Sequence, residues 1–270
     1  MPATTGGGAV AAFDYGTDAG QGFENTTGAD LAIPFIQILQ SNSPQVENNN
    51  PEGSKPGMLF NSVTAELTPG DKGIVFIPCH REDAYVEWVP RDNGGGLVGR
   101  HDPKSQLVLD AIAGAGKTFG KLKTPTGNDL VETHYVYGLV LNQDGTEVEA
   151  FAVVSCSSTK IKPFRNWFTA MYMIKGKPPL FAHRTVIKTV KQTNKKSQSF
   201  YNFEFKPLKG DIAGSMINPV TESKLLVAAR DFREMVVSGK AKAAFETQTA
   251  EASAEVDTDV DPEGTGNAPF

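Results

Sequence analysis

"ETHYVYGLVLNQDGTEVEAFAVVSCSS" runs from Glu132 to Ser158. Two runs rich in β-branched and aromatic residues flank Asn142-Gln143-Asp144-Gly145. An Asp-Gly pair between apolar runs is a strong hairpin signal, because both residues tolerate positive φ. The chain is therefore read as strand-rich from this hairpin outward. Upstream, "GMLFNSVT" (57–64), "GIVFIPCHR" (73–81) and "AYVEWVPR" (84–91) are strand-like runs punctuated by Pro and Gly. Downstream, "HRTVIKTVK" (183–191) and "SFYNFEFKP" (199–207) form two strands around the polar turn "QTNKKSQ". Alternation puts Tyr201, Phe203 and Phe205 on one, inward face, and Phe200 with Asn202, Glu204 and Lys206 on the other.

Helical spacing is confined to a few places. In "KPFRNWFTAMYMIKG" (162–176), Phe164, Trp167, Phe168 and Met171 recur at i, i+3, i+4 and i+7, one face of a helix. Residues 221–245 carry a second stripe, Leu225, Ala229, Phe232 and Val236, and Gly239 interrupts or ends it. "LAIPFIQILQSNSPQ" (31–45) is dense and apolar; Pro34 opposes a long helix but suits the first turn of a short one.

The expected fold is mainly β (α+β): an OB-like small barrel with an inserted helix, a C-terminal helix and disordered termini. The expected divisions are a flexible arm at 1–30, a binding domain at 31–215, a helical segment at 216–245 and a tail at 246–270.

Several chemistries are not supported. Cys79 and Cys156 are too few for a disulfide framework and are read as reduced, buried thiols. The N-terminus lacks a basic leader, and no run reaches eighteen apolar residues, so a cytoplasmic protein without membrane contact is expected. His80, His101, His134 and His183 show no metal-ligand spacing, so neither metal nor cofactor is expected, and no Gly-x-Ser-x-Gly elbow is present. Ala111-x-x-x-x-Gly116-Lys117-Thr118 approaches a phosphate-binding loop, with "QLVLD" as a short strand before it. Gly120, Pro125 and Gly127 then break the helix that should follow, at about 1 kcal/mol for each Gly and about 3 for the Pro. A nucleotide-binding enzyme using Lys117 and Thr118 is accordingly the minor reading, and a non-enzymatic binding protein the major one.

The charge map carries that choice. The chain is −5 overall, yet residues 160–209 hold twelve cations and one acid, Glu204, for a net +11. Aromatic residues interleave with them, the combination that holds single-stranded nucleic acid: cations meet phosphates and rings stack on bases. The expected contact residues are Lys160, Lys162, Arg165, Trp167, Lys175, Lys177, Arg184, Lys188, Lys191, Lys195, Lys196 and Phe200. Trp167 and Phe168 also suit a core, and Phe200 is the better stacking candidate on the strand.

Residues 246–270 contain seven acids and no base, among them Asp257, Asp259, Asp261 and Glu263, and close on Pro269-Phe270. This resembles the tails of single-stranded-DNA-binding proteins, which are acidic and end in Phe. Here "GTGNA" separates the acids from the final Pro-Phe, a departure that bears on how the tip docks. "LAIPFIQILQSNSPQ", "YVEWVPRDNGGGLVGRHDP" and "STKIKPFRNWFTAM" also resemble phage-encoded proteins found beside replication and recombination genes, over roughly residues 30–240. The resemblance implies an OB-type fold, single-stranded-DNA binding in the infected cell's cytoplasm, and a tail that recruits replication or recombination enzymes. Strand annealing is the alternative activity, and self-association through the C-terminal helix a further expectation.

Overall fold

The structure is a computed structural model and describes residues 21, 22, 24, 25, 32–115, 122–194 and 197–243. In chain order the strands are β1 (Ala32–Ile33), β2 (Phe35–Ile38), β3 (Leu59–Asn61), β4 (Leu67–Thr68), β5 (Ile74–Trp88), β6 (Leu97–His101), β7 (Leu122–Lys123), β8 (Asp129–Leu141), β9 (Val148–Ser157), β10 (Thr185–Thr193), β11 (Ser199–Pro207) and β12 (Lys242–Ala243). The helices are α1 (Pro44–Glu47), α2 (Gln106–Ala115), α3 (Ile161–Tyr172) and α4 (Ser223–Val237). The result is a mainly β, α+β protein whose main sheet curls into an OB-like half-barrel, ordered β11-β10-β5-β8-β9-β2-β3-β4. β6 adds to β5 and β7 to β8 at the distal end of that long ribbon.

The segments 73–81 and 84–91, separate in the sequence reading, are one fifteen-residue strand. Its register against β8 slips between Pro78 and His80. A bulge of one residue inverts the alternation beyond it. Val75, Ile77 and Cys79 therefore share a core with Ala84, Val86 and Trp88, although odd numbers give way to even ones. On unbulged β8 that same core takes Tyr135, Tyr137, Leu139 and Leu141. The opposite face carries Ile74 and Phe76 before the slip, packed with Val136, Phe164, Trp167 and Met171.

Each apolar face is covered. α4 buries Leu225, Ala229 and Phe232 against the first. It is shorter than the 221–245 expected: the N–H groups of Gly239 and Lys240 donate to Val236 and Met235 carbonyls, closing it with a Schellman motif. Gly239 supplies the required left-handed φ of 72°. The chain then returns as β12, parallel to β1. α3 lies over the second face.

The seam of the half-barrel is closed by a side chain. Gln40, just past β2, donates from Nε2 to the Tyr201 carbonyl at 2.8 Å and accepts from the Tyr201 N–H at 2.9 Å. Its amide thus mimics one residue of a neighbouring strand on the outer edge of β11. The Thr189 N–H donates to the Gly70 carbonyl nearby.

Two local expectations are corrected. Residues after Pro34 form a strand, β2, because they bridge β9 in parallel and β3 in antiparallel pairing; burial there outweighs any helical start at Pro34. "QLVLD" belongs to helix α2, since Val108 and Ala111 cover Leu130 and Tyr85 at the end of the ribbon.

Gly138 faces Pro78 beside the bulge, and a Cβ there would overlap the Ile77 carbonyl oxygen and the Phe76 ring. Both obstacles are rigid, so Gly138→Ala should lower stability by about 3 kcal/mol, read as an earlier denaturation midpoint. Gly53→Ala, where φ is 87° but the space is open, should cost only about 1 kcal/mol. Equal losses for the two variants would contradict the packing assigned to the bulge.

Candidate nucleic-acid interface

α3 organises the surface that the charge map singled out. Its buried stripe is Phe164, Trp167 and Met171. Phe164 stacks on His134, with centroids 4.6 Å apart. Trp167 lies flat on Phe205 at 4.4 Å and donates Nε1–H to Thr185 Oγ1 at 2.9 Å. Trp167 is only 7% exposed, so it is a wall of the core and leaves the expected stacking set.

The other face of the helix is open. Lys162, Arg165, Thr169 and Tyr172 are exposed and follow one another at helical spacing. Tyr172 is 57% and Met173 74% exposed, large apolar groups that no packing explains. Past the helix, Lys175 and Lys177 are exposed on the turn around Gly176. Lys177 Nζ lies 4.6 Å from the Tyr172 ring centroid and donates to its hydroxyl at 3.0 Å. A cation over the ring of an exposed tyrosine fixes both groups on the surface. The sequence reading did not single out Tyr172; its place outside the buried Phe164, Trp167 and Met171 stripe was the available signal.

The remaining expected residues divide three ways. Lys191 is exposed and Lys188 half-buried on β10, neither with an ion pair among the described residues, and Phe200 is half-buried on β11. Lys160 is buried, with Nζ 5.5 Å from the Phe203 ring centroid. Arg184 is corrected to an internal residue at 2% exposure. Its guanidinium donates to the carbonyls of Gly145, Ser215 and Met216 and pairs with Glu222 at 2.6 Å. These bonds occupy its donor fork, leaving none for a phosphate. Lys195, Lys196, the tail residues Asp257, Asp259, Asp261, Glu263, Pro269 and Phe270, and the loop residues Lys117 and Thr118 lie outside the described residues.

Strand residues the sequence reading missed sit beneath α3. Arg165 pairs with Glu132 at 2.9 Å, and Glu132 Oε1 lies 3.1 Å from His134 Nε2. His134 Nδ1 is 2.7 Å from Asp83, which Arg81 holds through two bonds. The Arg81 guanidinium lies 4.8 Å from the Phe168 ring centroid and 5.2 Å from that of Phe164. Burial pulls the His134 imidazole down, but Asp83 and Glu132 outweigh it and hold its pKa above the ordinary 6.5. Burial likewise pushes the Asp83 carboxyl up, yet His134 and Arg81 bring it from 3.8 to about 2. No group of three or more metal-ligating side chains occurs among the described residues. No helix among them is long and apolar enough to cross a membrane.

α2 covers Gln106–Ala115, and Gly116-Lys117-Thr118 follow it outside the described residues.

The charged cluster sets a pH window. A histidine whose pKa is raised on folding contributes fully below about pH 6.5, and its contribution is lost as pH rises through the raised value. Asp83 contributes fully above about pH 4 and loses its contribution as pH falls toward 2. His134→Gln should therefore cost about 1–3 kcal/mol near pH 5–6, measured by denaturant titration, with the deficit shrinking at alkaline pH. A deficit independent of pH would show that the ring acts by packing alone.

Searches of curated proteins and of solved structures give no match. Residues 4–242 match the family model described as Pam3 phage gp34-like protein. That match covers most of the chain, including the α3 surface and both sheet faces, and marks a phage protein. The chain belongs to the Pam3 phage gp34-like protein family.

Proposed function

We propose that this phage protein binds single-stranded DNA by contact rather than catalysis, with little dependence on overall sequence. The observation that carries this reading is the exposed stripe of α3 and its exit turn, where Lys162 and Arg165 precede an exposed Tyr172 along the helix and Lys175 and Lys177 follow it. Cations spaced along a helix suit a phosphate backbone, and an exposed ring suits an unstacked base. Lys188 and Lys191 on β10 supply a second group of cations for a longer strand. The setting is the host-cell cytoplasm during phage replication or recombination. The acidic segment 246–270, with its terminal Phe270, serves as the handle for partner enzymes.

Fluorescence anisotropy with labelled single-stranded DNA, duplex DNA and single-stranded RNA of equal length tests the proposal. The expected result is tightest binding to single-stranded DNA, with affinity falling linearly in log salt. Replacing Lys162, Arg165, Lys175 and Lys177 together by Ala should flatten that slope by about 0.7 for each phosphate that is no longer neutralised. Tyr172→Ala should weaken binding by about 1–3 kcal/mol and leave the slope unchanged. An unchanged slope in the fourfold variant would remove α3 from the interface, and absence of binding at low salt would refute the function.

A further inference from the structure

A groove of about 490 Å³ opens between α3 and the β10–β11 hairpin. Phe203, Glu204 and Phe205 all line it, although alternation turns Glu204 to the opposite face from its two neighbours. A groove lined by consecutive residues of one strand runs along the edge of that strand. α3 supplies the facing wall through Pro163, Asn166 and Ala170.

The edge is open there. Gln40 takes both main-chain groups of Tyr201 from the outer side. Tyr201 and, by antiparallel alternation, Phe203, Phe205 and Pro207 therefore turn their main-chain groups away from β10. The Phe203 N–H donates to Asn202 Oδ1 at 2.8 Å, and Pro207 has no N–H. The Phe203 carbonyl and the N–H and carbonyl of Phe205 are left facing outward. A sheet edge beside a helix wall is the setting in which an extended peptide adds as a further strand.

The chain carries a segment of that kind. "EVDTDVD" (Glu255–Asp261), outside the described residues, alternates Val256, Thr258 and Val260 with four acids, and Pro262 ends the run. Asp disfavours a strand in isolation, so such a segment needs cations beside it. Lys162, Arg165 and Lys206 are exposed, and each is adjacent in sequence to a residue of the groove wall. Glu204, the one acid on that wall, is already met by Lys206 at 2.9 Å. From Ala243 to Val256 the chain reaches about 40 Å when extended, against a radius of gyration of about 17 Å for a domain of this size. We propose that residues 255–261 add to the outer edge of β11 of their own chain, in this groove. Phe205 exchanges main-chain hydrogen bonds with the added strand, and the acids turn toward the cations at the rim. The contact shields an edge that would otherwise recruit foreign strands, and leaves residues 262–270 free. The inference goes beyond the single-stranded-DNA reading and does not rest on it.

Two measurements on the full chain test it, and neither involves DNA. In hydrogen exchange, the amides of 255–261 that face β11 should exchange about tenfold slower than the same sequence as a free peptide. Asp257→Pro with Thr258→Pro removes a ladder donor whichever of the two faces β11, and should restore the free-peptide rate. In mild oxidation, Thr258→Cys with Asn166→Cys should form a disulfide within one chain. Thr258→Cys with Thr64→Cys, on the exposed turn between β3 and β4, should not. The native Cys79 and Cys156 are buried. Free-peptide exchange rates in the wild type, or equal cross-linking at positions 166 and 64, overturns the proposal. Protection that grows with protein concentration, with the disulfide joining two chains, would seat a second copy's segment in the groove and overturn docking of the chain's own.

Discussion

One extra residue in β5 sets the plan of the molecule. The slip between Pro78 and His80 turns every later side chain of a fifteen-residue strand to the opposite face. Without it, Ala84, Val86 and Trp88 would leave the α4 core, and Arg81 and Asp83 would be buried there in their place. With it, the charged pair emerges under α3, next to His134. The same bulge bends the ribbon, which favours a sheet that curls rather than a flat one. Gly138 opposite the slip lets the Phe76 ring and the Ile77 carbonyl occupy the space a side chain would fill. The position of the candidate interface therefore descends from a backbone irregularity more than fifty residues away in sequence.

Curling leaves a seam, and the seam explains why α3 stands where it does. β11 ends the sheet, and its free edge would otherwise invite another strand. The Gln40 amide occupies that edge at Tyr201, and α3 packs beside it through Trp167 on Phe205. The helix therefore buries one stripe in the gap of the half-barrel and turns the other outward. A helix so held presents its exposed residues on a rigid frame. The Lys177 contact with Tyr172 extends that order past the end of the helix.

Much of this was legible in the sequence, for reasons that differ between elements. The β8–β9 and β10–β11 hairpins announced themselves through turn residues, and α3 and α4 through apolar spacing, since these signals are local. The unity of β5 was not legible, because Glu82 and Asp83 read as a polar break between two strands. Their satisfaction comes from Arg100 and Tyr137 on one face and from Arg81 and His134 on the other. α2 was misread because its short apolar run suits either strand or helix, and the arbiter is burial against Leu130 and Tyr85. The candidate site was half legible. Linear charge pointed to α3, but a run of cations does not reveal which of them face inward. Arg184 and Glu222 lie thirty-eight residues apart, and their buried pair subtracts from the surface charge a count would suggest.

The distribution of partners decides where an anion can settle. Arg184 is withdrawn into the fold and Arg165 shares its charge with Glu132, so the block of +11 does not act as one field. The cations left with water around them, Lys162, Lys175 and Lys191, are each weakly committed, and bringing up a phosphate costs little desolvation there. Separate charges along a surface match the regular repeat of a polynucleotide backbone better than the compact charge of a triphosphate, which rewards convergent donors. Lys162 and Lys175 stand near opposite ends of α3 and Lys191 on β10, so these cations come from separate elements rather than from one convergent loop, which is the distribution the proposed strand contact calls for.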